Sequence, residues 1–336
     1  MMHGQSDHST RGEFALKFID LHCDTIDRVA RSNGASGLRD GAFDINLEKM
    51  TRGGAMVQFF ALFTRVHTSL QKVGMTLPPY EYLQWVYDCY QRELAANADL
   101  IAPVYSYQDI LRNQEKGRMS SMLSMEDSIA LEGRLERVDE LYRMGVRMMS
   151  LTWNWENSLG YPQSKDPEKM KLGLKPFGVE AAHRMEELGI IIDVSHLSDG
   201  GFWDVVQHTK APFAASHSCA RALCDEGRNL TDEMLRAIGD RGGICGVNFY
   251  AGFLNNGSKY ATVEDIVRHA KYIANVAGID AVALGSDFDG IDTKLEFGDY
   301  AGMPMLVNGL CRAFTDSEVE KICNGNILRV IRDVVG

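Results

Sequence analysis

Eight short apolar runs limit what this chain can fold into. They lie at 18–21, 55–62, 119–125, 146–152, 190–194, 213–216, 244–249 and 281–285. Helix-like segments separate them. Residues 80–96 carry a long apolar-polar periodicity, and Val179, Ala182, Met185 and Leu188 share one helical face. Thr231 and Thr262, each followed by acidic residues, suit helix N-caps. Strands that alternate with helices pair in parallel. Eight such units in 336 residues fit a (β/α)8 barrel, a fold of about 250 residues before insertions. A doubly wound open sheet is the second architecture to weigh. It lacks support after the first run, where His22-Cys23-Asp24-Thr25 stands in place of a Gly-rich dinucleotide fingerprint.

The excursions 65–79 and 157–176 are polar or rich in Gly and Pro and read as loops, not interdomain linkers. One domain is expected over 14–336, after a polar tail at 1–13 expected to be disordered. A net charge of -11 argues against nonspecific nucleic-acid binding and against docking on anionic lipid. The seven cysteines form no Cys-x-x-Cys pair, which suits a reduced, intracellular protein. No secretory leader, membrane span or lipid-anchor signal is evident, so a cytoplasmic location is expected.

In a (β/α)8 barrel, catalytic residues come from the C-terminal ends of several strands. His22 and Asp24 follow the first run, Glu126 the third, His196 the fifth, His217 the sixth and Asp287 the eighth. Three histidines and three carboxylates suit zinc or a similar divalent ion. They are too many for one tetrahedral ion, whereas two ions sharing a carboxylate would use them all. Taken singly, each has a plainer reading. Glu126 suits a helix cap, His196 and His217 suit core histidines, and Asp287 and Asp289 suit a turn. The joint pattern at one end of a barrel is what favours a metal site. His67, His183, His208 and His269 fall at no strand end and read as structural or exposed.

These stretches resemble the renal (membrane) dipeptidase family, a zinc-dependent branch of the amidohydrolase superfamily. The resemblance runs from Phe18 to the C-terminal helix. It rests on Asp20-Leu21-His22-Cys23-Asp24, Met125-Glu126-Asp127, Gly145-Val146-Arg147, Ile192-Asp193-Val194-Ser195-His196, Ser216-His217-Ser218, Arg228-Asn229, Val247-Asn248-Phe249-Tyr250 and Gly285-Ser286-Asp287-Phe288-Asp289-Gly290. It implies two zinc ions per chain, one on His22 and Asp24, the other on His196 and His217, with Glu126 between them. It further implies that Asp287 handles the proton of the attacking water. Arg228 would hold the substrate's terminal carboxylate, with Asn229 and Tyr250 close by. Many amidohydrolases bridge their metals with a carboxylated lysine on the fourth strand; Ser150-Leu151-Thr152-Trp153 contains none, which supports Glu126. Family members typically carry a substrate-binding histidine just after that strand, and Trp153 stands there in this chain. The implied activity is hydrolysis of dipeptides with a free C-terminal carboxylate, L-D dipeptides included, by a homodimer. Hydrolysis of a lactone or an N-acyl amino acid, or a metal-binding role without catalysis, stand as alternatives.

Overall fold

The computed structural model describes residues 16–64 and 77–336. Its strands, in chain order, are β1 (Phe18–Asp20), β2 (Ala55–Phe63), β3 (Ile101–Pro103), β4 (Met119–Glu126), β5 (Val146–Ser150), β6 (Ile191–Asp193), β7 (Ala214–Ser218), β8 (Ile244–Val247), β9 (Tyr260–Ala261), β10 (Val282–Leu284) and β11 (Lys294–Leu295). Eight of them are parallel neighbours in the order β2-β1-β10-β8-β7-β6-β5-β4. The ring closes where β2 pairs with β4, from Val57 opposite Ser120 to Phe63 opposite Glu126. This is a closed (β/α)8 barrel, and each of the eight apolar runs supplies one of its strands.

Consecutive residues of a barrel strand serve different cores. Met148, Ile191, Ala214 and Ala283 join the cluster inside the barrel, while Met149, Ile192, Ala215 and Leu284 join the layer beneath the helices. Burial on both faces makes such strands read as continuous apolar runs rather than alternations. Ile327, Val330 and Ile331 of the C-terminal helical segment complete the inner cluster. Asn324 and Asn326 tie that segment to Lys17 O and Val282 O at the strand starts, so it covers the barrel floor and leaves the opposite end open for a site.

The helices begin where side chains satisfy their first N–H groups. Thr231 accepts from Met234 N ahead of Asp232–Asp240, and Thr262 with Asp265 forms a capping box ahead of Val263–Ala277. The segment 157–176 departs from a plain loop by carrying the short helix Pro167–Met170. The segment 97–118 is an insertion that the apolar pattern did not reveal. It holds β3 and the helix Tyr107–Glu115. β3 pairs with β4 only from Met119 to Ser121, on the edge that β5 takes over at Leu123. A three-residue strand ending in proline is too short to register as an apolar run. β9 and β11 form a separate two-stranded pair. The proposed tail 1–13 and most of the 65–79 excursion lie outside the described residues. Among the described residues, no helix is long and apolar enough to cross a membrane.

Tight backbone contact sets the barrel mouth. The register of β7 against β8 shifts between Ala215 and Ser218. A Cβ at Gly285 would meet the Ser216 carbonyl oxygen at 1.8 Å, and one at Gly246 would meet the same atom at 2.0 Å. Both glycines are therefore needed for the close approach of backbone to Ser216, next to His217. Gly285→Ala is expected to destabilise the fold by about 1–3 kcal/mol through overpacking. A urea melt reads this, and an unchanged midpoint would show that the mouth accommodates a methyl group there.

Candidate metal centre and cleft

The structure brings His22, Asp24, Glu126, His196, His217 and Asp287 to one end of the barrel. Ligand atoms of His22, Glu126 and His217 lie within 4.8 Å of one another, as do those of His22, Asp24 and Asp287. His196 joins the same cluster, with Nε2 at 3.0 Å from both Glu126 Oε1 and His217 Nε2. All except the partly exposed Asp287 are buried. Glu126 caps no helix; the side chain of Asp127 accepts from Ile129 N instead. Cys23 belongs to the outer core, with Sγ directed to Phe59 O.

Two buried carboxylates hold this cluster in place. Asp20 accepts from Ser286 N at 2.8 Å, Ser286 Oγ at 2.6 Å and Gln58 Nε2 at 3.0 Å. It thereby ties the end of β1, which carries His22 and Asp24, to the loop that carries Asp287. Asp193 accepts from Ser195 N at 2.9 Å, Ser216 N at 2.8 Å and Ser216 Oγ at 2.5 Å. It couples the His196 and His217 strand ends in the same way. His196, Asp287, Asp289 and Asp127 all have φ between 61° and 69°. Positive φ in non-glycine residues is uncommon and collects at functional sites.

Hydrogen bonds also fix which ring nitrogens carry protons. Ser216 Oγ donates to Asp193, so at 2.7 Å it accepts from His217 Nδ1–H. His196 Nδ1 donates to Asn154 Oδ1 at 3.0 Å. Both Nε2 atoms then present lone pairs to each other and to Glu126 Oε1. Burial, with the nearby Arg228 charge, pushes His196 down to about 4. Burial, the His22 charge and the Arg228 charge push His217 well below its usual value. Both rings are neutral near pH 7. His22 behaves oppositely. Burial opposes its charge, but Glu126, Asp24 and Asp287 overcome that and hold it at about 10. Its Nε2 is buried without a hydrogen-bond partner. Lone pairs and carboxylates facing one another at 3.0 to 3.7 Å repel unless a cation lies between them. Imidazole and carboxylate donors are those of zinc-type sites, so the residues fit divalent metal.

Beside the cluster lies a cleft of about 280 Å³, with Phe63, Trp153, Asn154, Arg228, Tyr250, Phe253, Ile291 and Asp292 among its walls. Arg228 is buried, donates to Ser218 Oγ and His217 O, lies under the Phe253 ring and keeps Nε unpartnered. Asn229 does not line the cleft. Its Oδ1 accepts from Cys219 N, and its Nδ2 donates to Cys224 O and Phe253 O, so it braces the loop that presents Arg228. Trp153 packs on Phe63, with ring centroids 4.9 Å apart. Sequence reasoning gave no role to Asn248, whose Nδ2 donates to Asp287 Oδ2 at 3.0 Å, nor to Ser216 and Asp193. The signals each offers are its place at or near a strand end and its presence in a stretch that carries the family resemblance. His269 is structural, with Nδ1 accepting from Ala220 N and Nε2 facing Leu254 O, and His183 Nε2 meets His208 O. His67 lies outside the described residues.

A family model described as membrane dipeptidase (peptidase family M19) matches residues 13–335. The chain belongs to the membrane dipeptidase family. It is therefore a metallopeptidase, a hydrolase dependent on metal. It is 38% identical over 251 residues to an uncharacterised protein from the pqqA 5′ region of Klebsiella pneumoniae, covering 72% of this chain and 92% of that protein. It is 30% identical to an uncharacterised dipeptidase of Schizosaccharomyces pombe, over 94% of this chain and 79% of the relative. A Rhodobacter sphaeroides metallopeptidase, solved with a phosphinate mimic of L-Ala-D-Ala, shares the fold. Its TM-score is 0.87 at 23% identity, over 95% of this chain and 99% of that one.

Two outcomes follow for this membrane dipeptidase family member. Ser216→Ala removes the acceptor that orients His217 and is expected to weaken divalent-metal affinity about 10–100-fold. Competition with a chromophoric chelator reads this; unchanged affinity would remove Ser216 from the support of His217. Because His22 stays protonated up to about 10, a metal that uses it must displace a proton at lower pH. Apparent affinity should therefore fall as pH falls, by about tenfold per unit for one proton. Calorimetry in buffers of different ionisation enthalpy counts the protons released.

Proposed function

We propose that the cleft hydrolyses the peptide bond of dipeptides with a free C-terminal carboxylate, L-D dipeptides included. The observation that carries this reading is a buried guanidinium, Arg228, set beside a carboxylate–histidine cluster in a cleft of about 280 Å³. A guanidinium matches a carboxylate in two hydrogen bonds, and the small cleft suits a short substrate. The mimic of L-Ala-D-Ala bound by the Rhodobacter relative motivates the D-residue.

In this reading His22 and Asp24 hold one zinc ion, His196 and His217 hold a second, and Glu126 serves both. Bound there, the ions would lower the pKa of a water molecule and polarise the scissile carbonyl. The remaining work falls to the chain's own groups. Burial raises Asp287 to about 6, with Glu126 adding to it against the pull of His22, Asn248 and Arg228. A carboxyl group poised there takes a proton from water at Oδ1 and returns it to the leaving amine. Asn248 keeps Oδ2 engaged, so Oδ1 is the oxygen presented to the cluster. Arg228 fixes the carboxyl terminus, which places the peptide bond at the cluster and not deeper in the cleft.

A panel of L-L and L-D dipeptides, assayed with and without added zinc, tests the activity. Failure of every dipeptide alongside turnover of lactones or acyl amino acids would overturn it. Asp287→Asn is expected to lose at least about 10²-fold in kcat while retaining about two ions per chain by elemental analysis. Loss of metal would show that Asp287 is a ligand instead. Arg228→Ala should chiefly raise KM for carboxylate-bearing substrates, and an unchanged KM removes it from the pocket.

A further inference from the structure

We propose that the face of Trp153, backed by Phe63, is the subsite for the side chain of the substrate's N-terminal residue. It would select dipeptides that begin with a large apolar or aromatic residue. This deepens the dipeptidase reading above and rests on it.

The placement follows from the barrel's strand order. Phe63 ends β2, and Trp153 follows β5; β4, which ends in Glu126, lies between those two strands. Arg228 lies on the loop between β7 and β8, across the mouth. A dipeptide with its carboxylate on Arg228 and its peptide bond at the cluster therefore directs its first residue away from that loop. That residue has two groups to place. The amine is cationic and is drawn to the exposed Asp292, on the β10 side of the cleft. The side chain, on the same Cα, is left with the β2 to β5 side. There the indole of Trp153 is partly exposed to the cleft, 4.9 Å from the buried Phe63 ring and 6.1 Å from the His196 ring. Contact with Phe63 and the nearby His196 ring limits how far the indole can swing. A held aromatic face gains from burying apolar surface and from ring–ring contact, and has little to offer a glycine. The cleft walls carry several carboxylates and one guanidinium, and Arg228 is already committed to the carboxylate. An acidic first side chain would lose hydration against the indole face without gaining a cationic partner there.

The test is kcat/KM for Phe-Ala, Leu-Ala, Gly-Ala and Asp-Ala, and for Ala-Phe against Ala-Gly, with zinc-loaded protein. The Phe-Ala to Gly-Ala ratio is expected to be about 10–100, as discrimination by an apolar pocket allows. It should collapse in Trp153→Ala and survive in part in Trp153→Phe. Metal content and melting temperature, measured alongside, show whether each variant is folded and loaded. Turnover with a ratio near one overturns the subsite while leaving the dipeptidase reading intact. Dependence on the second residue instead, or an unchanged ratio in Trp153→Ala, also overturns it. No turnover of any dipeptide overturns both readings.

Discussion

Two buried aspartates hold the working end of this barrel together. Asp20 and Asp193 each end a strand, and each accepts both the backbone N–H and the hydroxyl of a serine on a neighbouring element. Those serines, Ser286 and Ser216, directly precede Asp287 and His217. One clamp therefore fixes His22, Asp24 and Asp287 relative to each other, and the other fixes His196 and His217. Hydrogen bonds to a carboxylate are about twice as strong as neutral ones, and burial removes water as a competitor. That strength matters because the backbone beyond the clamps is not relaxed. His196 and Asp287 have φ of 69° and 61°. Each such residue costs of order 1–3 kcal/mol unless its surroundings dictate the conformation.

The barrel was legible in the sequence because its strands are buried on both faces. Continuous apolar runs such as 55–62 and 244–249 can then only be central strands or buried helices, and their shortness decides for strands. The cluster of side chains at the mouth was legible for the same reason. A histidine or acid directly after such a run must lie at the barrel mouth, so strand ends alone gathered six residues that span more than 260 positions of sequence. β3 escaped because it borrows only the first few residues of β4 and has no pattern of its own.

The supporting groups were not legible, because their roles depend on partners distant in sequence. Asn248 reaches Asp287, 39 positions on, and Asn154 reaches His196, 42 positions on. Neither spacing follows any periodicity. Asn229 shows the converse hazard. Its neighbour Arg228 faces the cleft, yet one residue later the side chain points into the loop and spends its amide on three backbone groups. Arg228 itself stood out only through the family resemblance, since a lone arginine in a loop is ordinarily a surface residue. Its burial under Phe253 is what distinguishes it.

The electrostatics of the mouth then follow from having built these side chains on rigid supports. Asp24, Glu126 and Asp287 bring three carboxylates close to His22 in a space that excludes most water. Like charges so placed would ordinarily spread apart, but the clamps and the closed ring of strands prevent it. The protein answers by holding a proton on His22, and Arg228 adds a fixed positive charge near His196 and His217. A proton on one imidazole nitrogen neutralises only part of that charge. A divalent cation placed there would neutralise more of it and would also satisfy the facing lone pairs of His196 and His217, which the single proton on His22 cannot do. Metal affinity at this cluster would thus come from repulsion that the fold does not relieve by moving. Asp20 and Asp193 hold these side chains through serine and backbone partners of the chain itself. A cation would enter a cluster whose shape is set by the strand ends.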